Sequence, residues 1–362
     1  MQNYKIKMKL LTPVHIGTGE DYEPTNFIID EDFLYEFDEM QFYTYLGSSD
    51  KERFISLAKC STPDALFEMH TFIKSHKEMA KKAAILKVKV AEGISRDYKN
   101  KIGRAVQQEG KQKVFNRFQI ARTLRQPNGK IPYIPGSSLK GSIATAVQEV
   151  FFKENKEKYK EAFVKANPSE RFMKNFLVSD SIAVKSGAMV GYALNKERFE
   201  DDQDGPSNKL EVILPGSEYE THLSSRDYTV KFPVDVKTFM EACNTHYLPL
   251  FESMMSSYNE FKGKKVDDYI NEYFSDTFYD TYKSFTPAPN QFLVRVGKHS
   301  GARAVTVDGM RKIKVKVSGG GPKRKPNKWE TLDQETTTWL FGKKENQNEN
   351  LLPFGWVLCE LI

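Results

Sequence analysis

The sequence predicts an α+β protein built from two units of similar size. Strand patterns occur at the beginning and end of each half of the 362-residue chain, with helical patterns between them. This length can hold two domains of ordinary size, and an apolar content of 39% can supply their cores. We place the boundary between residues 190 and 191, close to the acidic stretch KERFEDDQDGPSNK (196–209).

In the first half, the opening strand is clear because apolar residues from Tyr4 to Leu10 alternate with Lys5, Lys7 and Lys9. The segment NFIIDEDFLYEFD predicts two short strands that meet at Asp30–Asp32. Residues 40–83 are mainly helical in pattern. The remaining predictions are strands at 86–90 and 113–121, a helix that starts near Ser138, and a strand at 175–184.

The second half repeats this arrangement. KLEVILPGSEYETHL predicts two strands around Pro215 and Gly216, and residues 234–283 carry helical patterns. The end of the chain returns to strands in QFLVRVG, RKIKVKV and FGWVLCELI.

Composition excludes several protein classes. No apolar run reaches the length of a membrane span, and MQNYKIKMKLL reads as a strand rather than as a signal peptide. Cys60, Cys243 and Cys359 are widely spaced, so we expect free thiols, a cytoplasmic location and no cysteine-rich zinc site. Motifs of serine hydrolases, zinc proteases and dinucleotide-binding proteins are absent from the sequence, and we expect no metal and no cofactor.

Positive charge is concentrated in two segments. The net charge of the chain is +6. Residues 298–328 alone carry ten Lys and Arg residues and one acidic residue, Asp308, so the rest of the chain has a net charge of −3. Residues 87–125 hold eleven more basic residues against three acidic ones. A focused positive surface suits a phosphate-rich partner, although a solvated basic face gives the same pattern.

The segment PYIPGSSLKGS (132–142) precedes a helical run. We expect Ser137 or Ser138 to cap that helix, so that free N–H groups and Lys140 attract an anion. Gly136 and Gly141 have the spacing of a Walker A loop, but Lys140 precedes the second glycine, so the NTPase interpretation fails.

Two histidines lie in glycine-containing loops, His15 in PVHIGTGE and His299 in GKHSGAR. They suit either RNA contact or metal-independent general acid–base cleavage of RNA. The candidate RNA-binding residues are His15, Gly17, Gly19, Arg117, Arg122, Gly136, Ser137, Ser138, Lys140, Gly141, Lys298, His299, Arg303, Lys323, Arg324 and Lys325.

Six segments together resemble the RAMP proteins of CRISPR systems, in particular the fifth subunit of the type III-A Csm effector complex. They are LTPVHIGTGE, YIPGSSLKGSIATAV, SDS, GKHSGARAVTVDG, TTTWL and PFGWVLCEL, in this order along the chain. The resemblance implies two ferredoxin-like (RRM-like) units with helical insertions. It also implies a non-catalytic subunit that caps the assembly at the 3′ end of the CRISPR RNA. Its partners would be that single-stranded guide RNA, the repeated backbone RAMP subunit and recruited nucleases.

The sequence therefore predicts an RNA-binding structural subunit, in which replacing Lys140 or Arg303 with alanine weakens RNA retention. Two alternatives remain open at this point. One is an endoribonuclease that processes precursor CRISPR RNA and depends on His15 or His299. The other is a protein adaptor whose basic loops meet an acidic partner.

Overall fold

The structure is a computed structural model that describes residues 2–60, 62–102, 107–109, 112–114, 118–164, 171–199, 204–226, 230, 233–261, 264–317 and 328–362. The strands are β1 (Gln2–Leu10), β2 (Gly17–Tyr22), β3 (Phe27–Asp30), β4 (Phe33–Phe37), β5 (Ala84–Val90), β6 (Gln107–Glu109), β7 (Gln112–Val114), β8 (Ile120–Thr123), β9 (Phe176–Val178), β10 (Ile182–Lys185), β11 (Ala188–Glu197), β12 (Asn208–Ile213), β13 (Glu218–Ser225), β14 (Tyr258–Phe261), β15 (Lys264–Asp267), β16 (Gln291–Arg295), β17 (Ile313–Val317), β18 (Lys328–Leu332), β19 (Thr337–Gly342), β20 (Leu352–Pro353) and β21 (Trp356–Leu361). The α-helices are α1 (Glu39–Tyr45), α2 (Ser48–Ala58), α3 (Pro63–Ser75), α4 (Lys77–Lys82), α5 (Glu92–Lys101), α6 (Gly136–Glu154), α7 (Lys156–Tyr159), α8 (Val236–Met255) and α9 (Asp276–Tyr282).

The first sheet has the strand order β10-β13-β1-β21-β16, with β9 also paired to β13. All of its strand pairs are antiparallel. Helices α6 and α8 pack against each other and against β16. In chain order the unit runs β1, α6, β10 and β13, α8, then β16, which is the βαββαβ pattern of a ferredoxin-like fold. Strand β21 is an additional strand between β1 and β16. The first and last strands of the chain are neighbours at its centre.

Strand β1 shows why the sequence forms this sheet. Ile6, Met8 and Leu10 are buried in the main core, while Lys7 and Lys9 are exposed. The alternation predicted from the sequence is confirmed, because successive side chains of a strand point to opposite faces.

The second sheet is mixed and has the strand order β2-β8-β12-β11-β5-β4-β3, with β19 beside β11 and β20 beside β19. A smaller core beside it joins residues of β3 and β4 to helices α1, α3 and α4, including Ile28, Phe42 and Phe72. This helical insertion accounts for the helical pattern of residues 40–83. The predicted α+β class, with two ferredoxin-like units and helical insertions, is confirmed.

The two sheets do not correspond to two halves of the chain. The expected boundary at residue 190 falls inside β11, and both sheets take strands from before and after it. The acidic stretch connects β11 to β12, which are paired in one sheet. Strands β12 and β13, predicted around Pro215 and Gly216, lie in different sheets.

Several other predictions differ in detail. The predicted strand at 175–184 is interrupted at residues 179–181, and the segment 113–121 yields parts of β7 and β8. Hairpin β14–β15 interrupts the region predicted as helical, and β17–β18 forms a separate hairpin. Within the described ranges, no helix is long and apolar enough to cross a membrane. The same ranges contain no group of three His, Cys, Asp or Glu residues placed to hold a metal ion.

Candidate nucleic-acid interface

Helix α6 starts at Gly136, with Pro135 as its N-cap residue. The prediction that Ser137 or Ser138 caps the helix is therefore wrong, since both lie inside its first turn. Instead, the Gly136 N–H donates a 2.9 Å hydrogen bond to Oδ1 of Asp180, and the Ser138 N–H donates to the Pro135 carbonyl. A carboxylate is favourable at this end of a helix, so Asp180 already occupies part of the predicted anion site.

Gly136 is required here by a close backbone approach. A Cβ atom at this position would lie 2.2 Å from the Val178 carbonyl oxygen and 2.7 Å from that of Ser179. The Ile134 N–H donates to Oγ of Ser181 at 2.9 Å. The loop of residues 178–181 is therefore pressed against the start of α6, and only glycine fits at position 136 without a displacement.

The Lys140 side chain is bonded to the protein itself. Its Nζ donates a 2.7 Å hydrogen bond to the Phe176 carbonyl on β9. Burial lowers the pKa of Lys140 because removal from water disfavours the charged form. The two residues of the motif that face outward are Ser137 and Gly141, and a Cβ on Gly141 would meet nothing within 4 Å.

His15 is fixed inside the protein. It is 1% exposed, and its Nδ1 lies 2.7 Å from the Glu211 carbonyl oxygen on β12. Burial lowers its pKa. The Glu211 carboxylate, also buried, accepts hydrogen bonds from Tyr22 at 3.0 Å and from the Arg125 Nε at 3.1 Å. Beyond His15, Gly17 and Gly19 are exposed, and Gly19 has a φ of 83° that favours glycine.

The loop of residues 297–301 lies directly beside His15. The Lys298 N–H donates to the His15 carbonyl at 2.9 Å, and a Cβ on Gly297 would come within 2.5 Å of that oxygen. The Lys298 side chain is exposed. His299 has a φ of 68°, and its ring centroid lies 4.5 Å from that of Trp339. Burial lowers the pKa of His299 to about 3, so its ring is neutral at pH 7.

Hydrogen bonds connect these segments into one continuous surface. The Leu124 N–H donates to the Ile16 carbonyl at 2.7 Å, and the Tyr133 N–H donates to the Leu124 carbonyl at 3.3 Å. On the other side, Oγ of Ser142 in α6 donates to the Arg295 carbonyl at 2.9 Å. We call this surface, formed by residues 15–19, 132–142 and 297–301, the loop edge.

Two candidate arginines have protein partners. Arg122 contacts both oxygens of Glu36, at 2.8 and 2.9 Å, and lies over the Tyr22 ring. The Arg303 Nε lies 3.3 Å from Oε1 of Glu335. Arg117, Lys323, Arg324 and Lys325 lie outside the described residues.

The sequence did not single out three residues at this surface, namely Asp180, Trp339 and Glu335. Asp180 lies in the segment SDS and Trp339 in TTTWL, which Glu335 directly precedes, but the sequence does not reveal which distant residue each one meets. Trp339 reaches the loop edge because β19 pairs with β11 in the second sheet, where it lies opposite Asn195.

Comparisons with known proteins agree with this architecture. A family model described as the RAMP superfamily matches residues 7–352. One chain in the cryo-EM structure of a Csm–crRNA–target RNA ternary complex of a type III-A CRISPR–Cas system has a TM-score of 0.61 and 18% identity. That alignment covers 99% of this chain and 100% of the other.

The crystal structure of T. onnurineus Csm5 has a TM-score of 0.50 and 17% identity, over 80% of this chain and 89% of that one. No curated protein matches. The family model spans nearly the whole chain, and the predicted membership is confirmed. The chain belongs to the RAMP superfamily.

Proposed function

We propose that the chain is an RNA-binding subunit of a type III-A CRISPR effector complex that caps the assembly at the 3′ end of the CRISPR RNA. Its partners are the single-stranded guide RNA and the repeated backbone RAMP subunit, and it supports RNA maturation through recruited nucleases rather than by its own catalysis. The full-length structural similarity to a chain of a Csm–crRNA–target RNA complex supports the assignment to this kind of complex.

The observation that carries the RNA-binding proposal is the loop edge itself. The backbone of exposed Lys298 is bonded to His15, and the exposed glycines Gly17 and Gly19, which have no side chain to keep a phosphate at a distance, follow His15 in the chain. Ser137 and Gly141 extend this surface along α6. Lys140 and Arg303 act through the packing of these loops, since both side chains are bonded to protein groups.

The endoribonuclease alternative gains no support from the geometry of its two histidines. A general acid or base works best with a pKa near the working pH. Burial lowers the pKa of His15 and brings that of His299 to about 3. The Nδ1 of His15 is also engaged by the Glu211 carbonyl, and the His299 ring packs on Trp339. Both residues are better suited to shaping the loop edge than to proton transfer.

Direct RNA binding by the purified full chain tests the proposal. Fluorescence anisotropy with a labelled single-stranded RNA at several salt concentrations should show Kd rising with salt, because phosphate contacts release counterions. Lys298→Ala should weaken the binding of all RNA sequences. It should also reduce the slope of log Kd against log salt concentration by about one, as expected for the loss of one phosphate contact. Lys51→Ala in helix α2 of the insertion is the matched control and should leave both unchanged. Binding that is independent of both salt and Lys298 would contradict the proposed interface.

A further inference from the structure

A cavity of about 300 Å³ opens on the loop edge next to the paired rings of His299 and Trp339. Its wall includes His299, Gly301, Glu335, Thr337, Thr338 and Trp339. Exposed Lys298 directly precedes the lining residue His299 in the chain. This cavity is separate from the helix end and from the glycine loop that the sequence analysis singled out.

The rings are held rigidly. The His299 ring packs against both Trp339 and Phe354, with ring centroids at 4.5 Å and 5.2 Å, and Phe354 is fully buried. The φ of 68° at His299 is unfavourable for a residue with a side chain and persists only where the surroundings hold it. Here the ring contacts on one side and the hydrogen bond from Lys298 to His15 on the other hold it.

The carboxylate in the cavity wall is paired with arginines. His299 is neutral at pH 7, and the hydroxyls of Thr337 and Thr338 carry no charge. Glu335 brings a carboxylate, whose pKa is lowered by Arg303 and Arg198 although burial opposes this. Because the Glu335 carboxylate is already paired with Arg303 and Arg198, these charges do not select a phosphate, whereas a flat neutral ring would find aromatic faces and hydroxyls that can donate or accept.

We propose that this cavity binds one nucleobase of the RNA, stacked on the ring pair of Trp339 and His299, while Lys298 contacts an adjoining phosphate. This inference rests on the proposed RNA-binding function and adds a base contact to the phosphate contacts of the loop edge. Unpaired bases of single-stranded RNA commonly stack on aromatic side chains in this way, and such stacking tolerates every base. The cavity therefore fixes the position of the RNA without reading a specific sequence.

The test uses the full chain and a single-stranded RNA of about ten nucleotides, within the site sizes typical of such proteins. A set of these oligonucleotides carries one abasic nucleotide at successive positions, and Kd is measured for each. For wild-type protein, one position should weaken binding by about 5- to 100-fold, as expected for the loss of one stacked base. Trp339→Ala should weaken binding to intact RNA by a similar factor and abolish the further loss at that position. Trp339→Phe should retain most of the affinity.

The matched control is Tyr45→Ala, which removes a partly exposed ring of helix α1 in the helical insertion and should not change Kd. The abasic series needs no protein variant, so it remains informative if Trp339→Ala fails to fold. If wild-type protein binds all abasic oligonucleotides equally, the base site is refuted while the proposed function stands. The base site is also refuted if Trp339→Ala keeps RNA affinity but loses a neighbouring subunit. If wild-type protein binds no RNA at all, the proposed function itself fails.

Discussion

The two glycines of GSSLKG should respond in opposite directions to the same substitution. Alanine in a helix is favoured over glycine by about 1 kcal/mol, so Gly141→Ala, which meets no atom within 4 Å, should stabilise the protein by about 0.5–1 kcal/mol. At Gly136 the new Cβ would lie 2.2 Å from the Val178 carbonyl oxygen, and neither backbone can yield without displacing the loop of residues 178–181.

The cost of that displacement has two parts. Overpacking of a close contact costs about 1–3 kcal/mol. Loss of the hydrogen bond from Gly136 to the Asp180 carboxylate adds about 1.5–3 kcal/mol. After subtraction of the helix gain of about 1 kcal/mol, Gly136→Ala should destabilise the protein by about 1.5–5 kcal/mol.

Urea unfolding of the wild type and the two variants, followed by far-UV circular dichroism and tryptophan fluorescence, measures the difference. The urea midpoint should fall for Gly136→Ala and rise for Gly141→Ala. Equal midpoints for the two variants would refute the interpretation that Gly136 is required by the contact with residues 178–179.

Two further predictions concern titratable side chains inside the protein. Asp268 is 1% exposed and pairs with the fully buried Arg198, so Asp268→Ala should destabilise the protein by about 3–5 kcal/mol, and an unchanged unfolding midpoint would contradict this. Because the pKa of His299 is lowered to about 3, its contribution to stability is complete above pH 6.5 and is lost as the pH falls from 6.5 towards 3. Asparagine tolerates the positive φ at position 299, so His299→Asn can replace the ring. The urea midpoint of this variant should fall less between pH 7 and pH 5 than that of the wild type. An equal fall in both proteins would show that groups other than His299 cause the pH dependence.

Local patterns predicted the elements of the fold because they depend on neighbouring residues. The alternation in β1, the helical spacing after Gly136 and the turn between β3 and β4 all appear in the structure. The arrangement of the sheets was not predictable in this way. Strand β1 pairs with β21 at the other end of the chain, and nothing near either strand specifies that partner.

The same limit applies to the loop edge. The sequence suggested Lys140 and Arg303 as RNA-binding residues, but the protein groups that bind them, Phe176 and Glu335, lie 36 and 32 residues away. It identified His299, but the ring on which it packs comes from a strand of the second sheet. Single residue types pointed to this surface, and only the tertiary contacts separated the side chains that face outward from those that hold the loops.

The role proposed for this chain is to cap a multisubunit complex at the 3′ end of its guide RNA. Its most direct test is to purify the complex from cells that express the neighbouring operon subunits and a CRISPR array, with and without this chain, and to map both ends of the bound RNA. We predict that omission of the chain lengthens or scatters the 3′ ends while the 5′ ends stay fixed. Failure of 5′ processing, with unchanged 3′ ends, would contradict the proposed role and favour the endoribonuclease alternative.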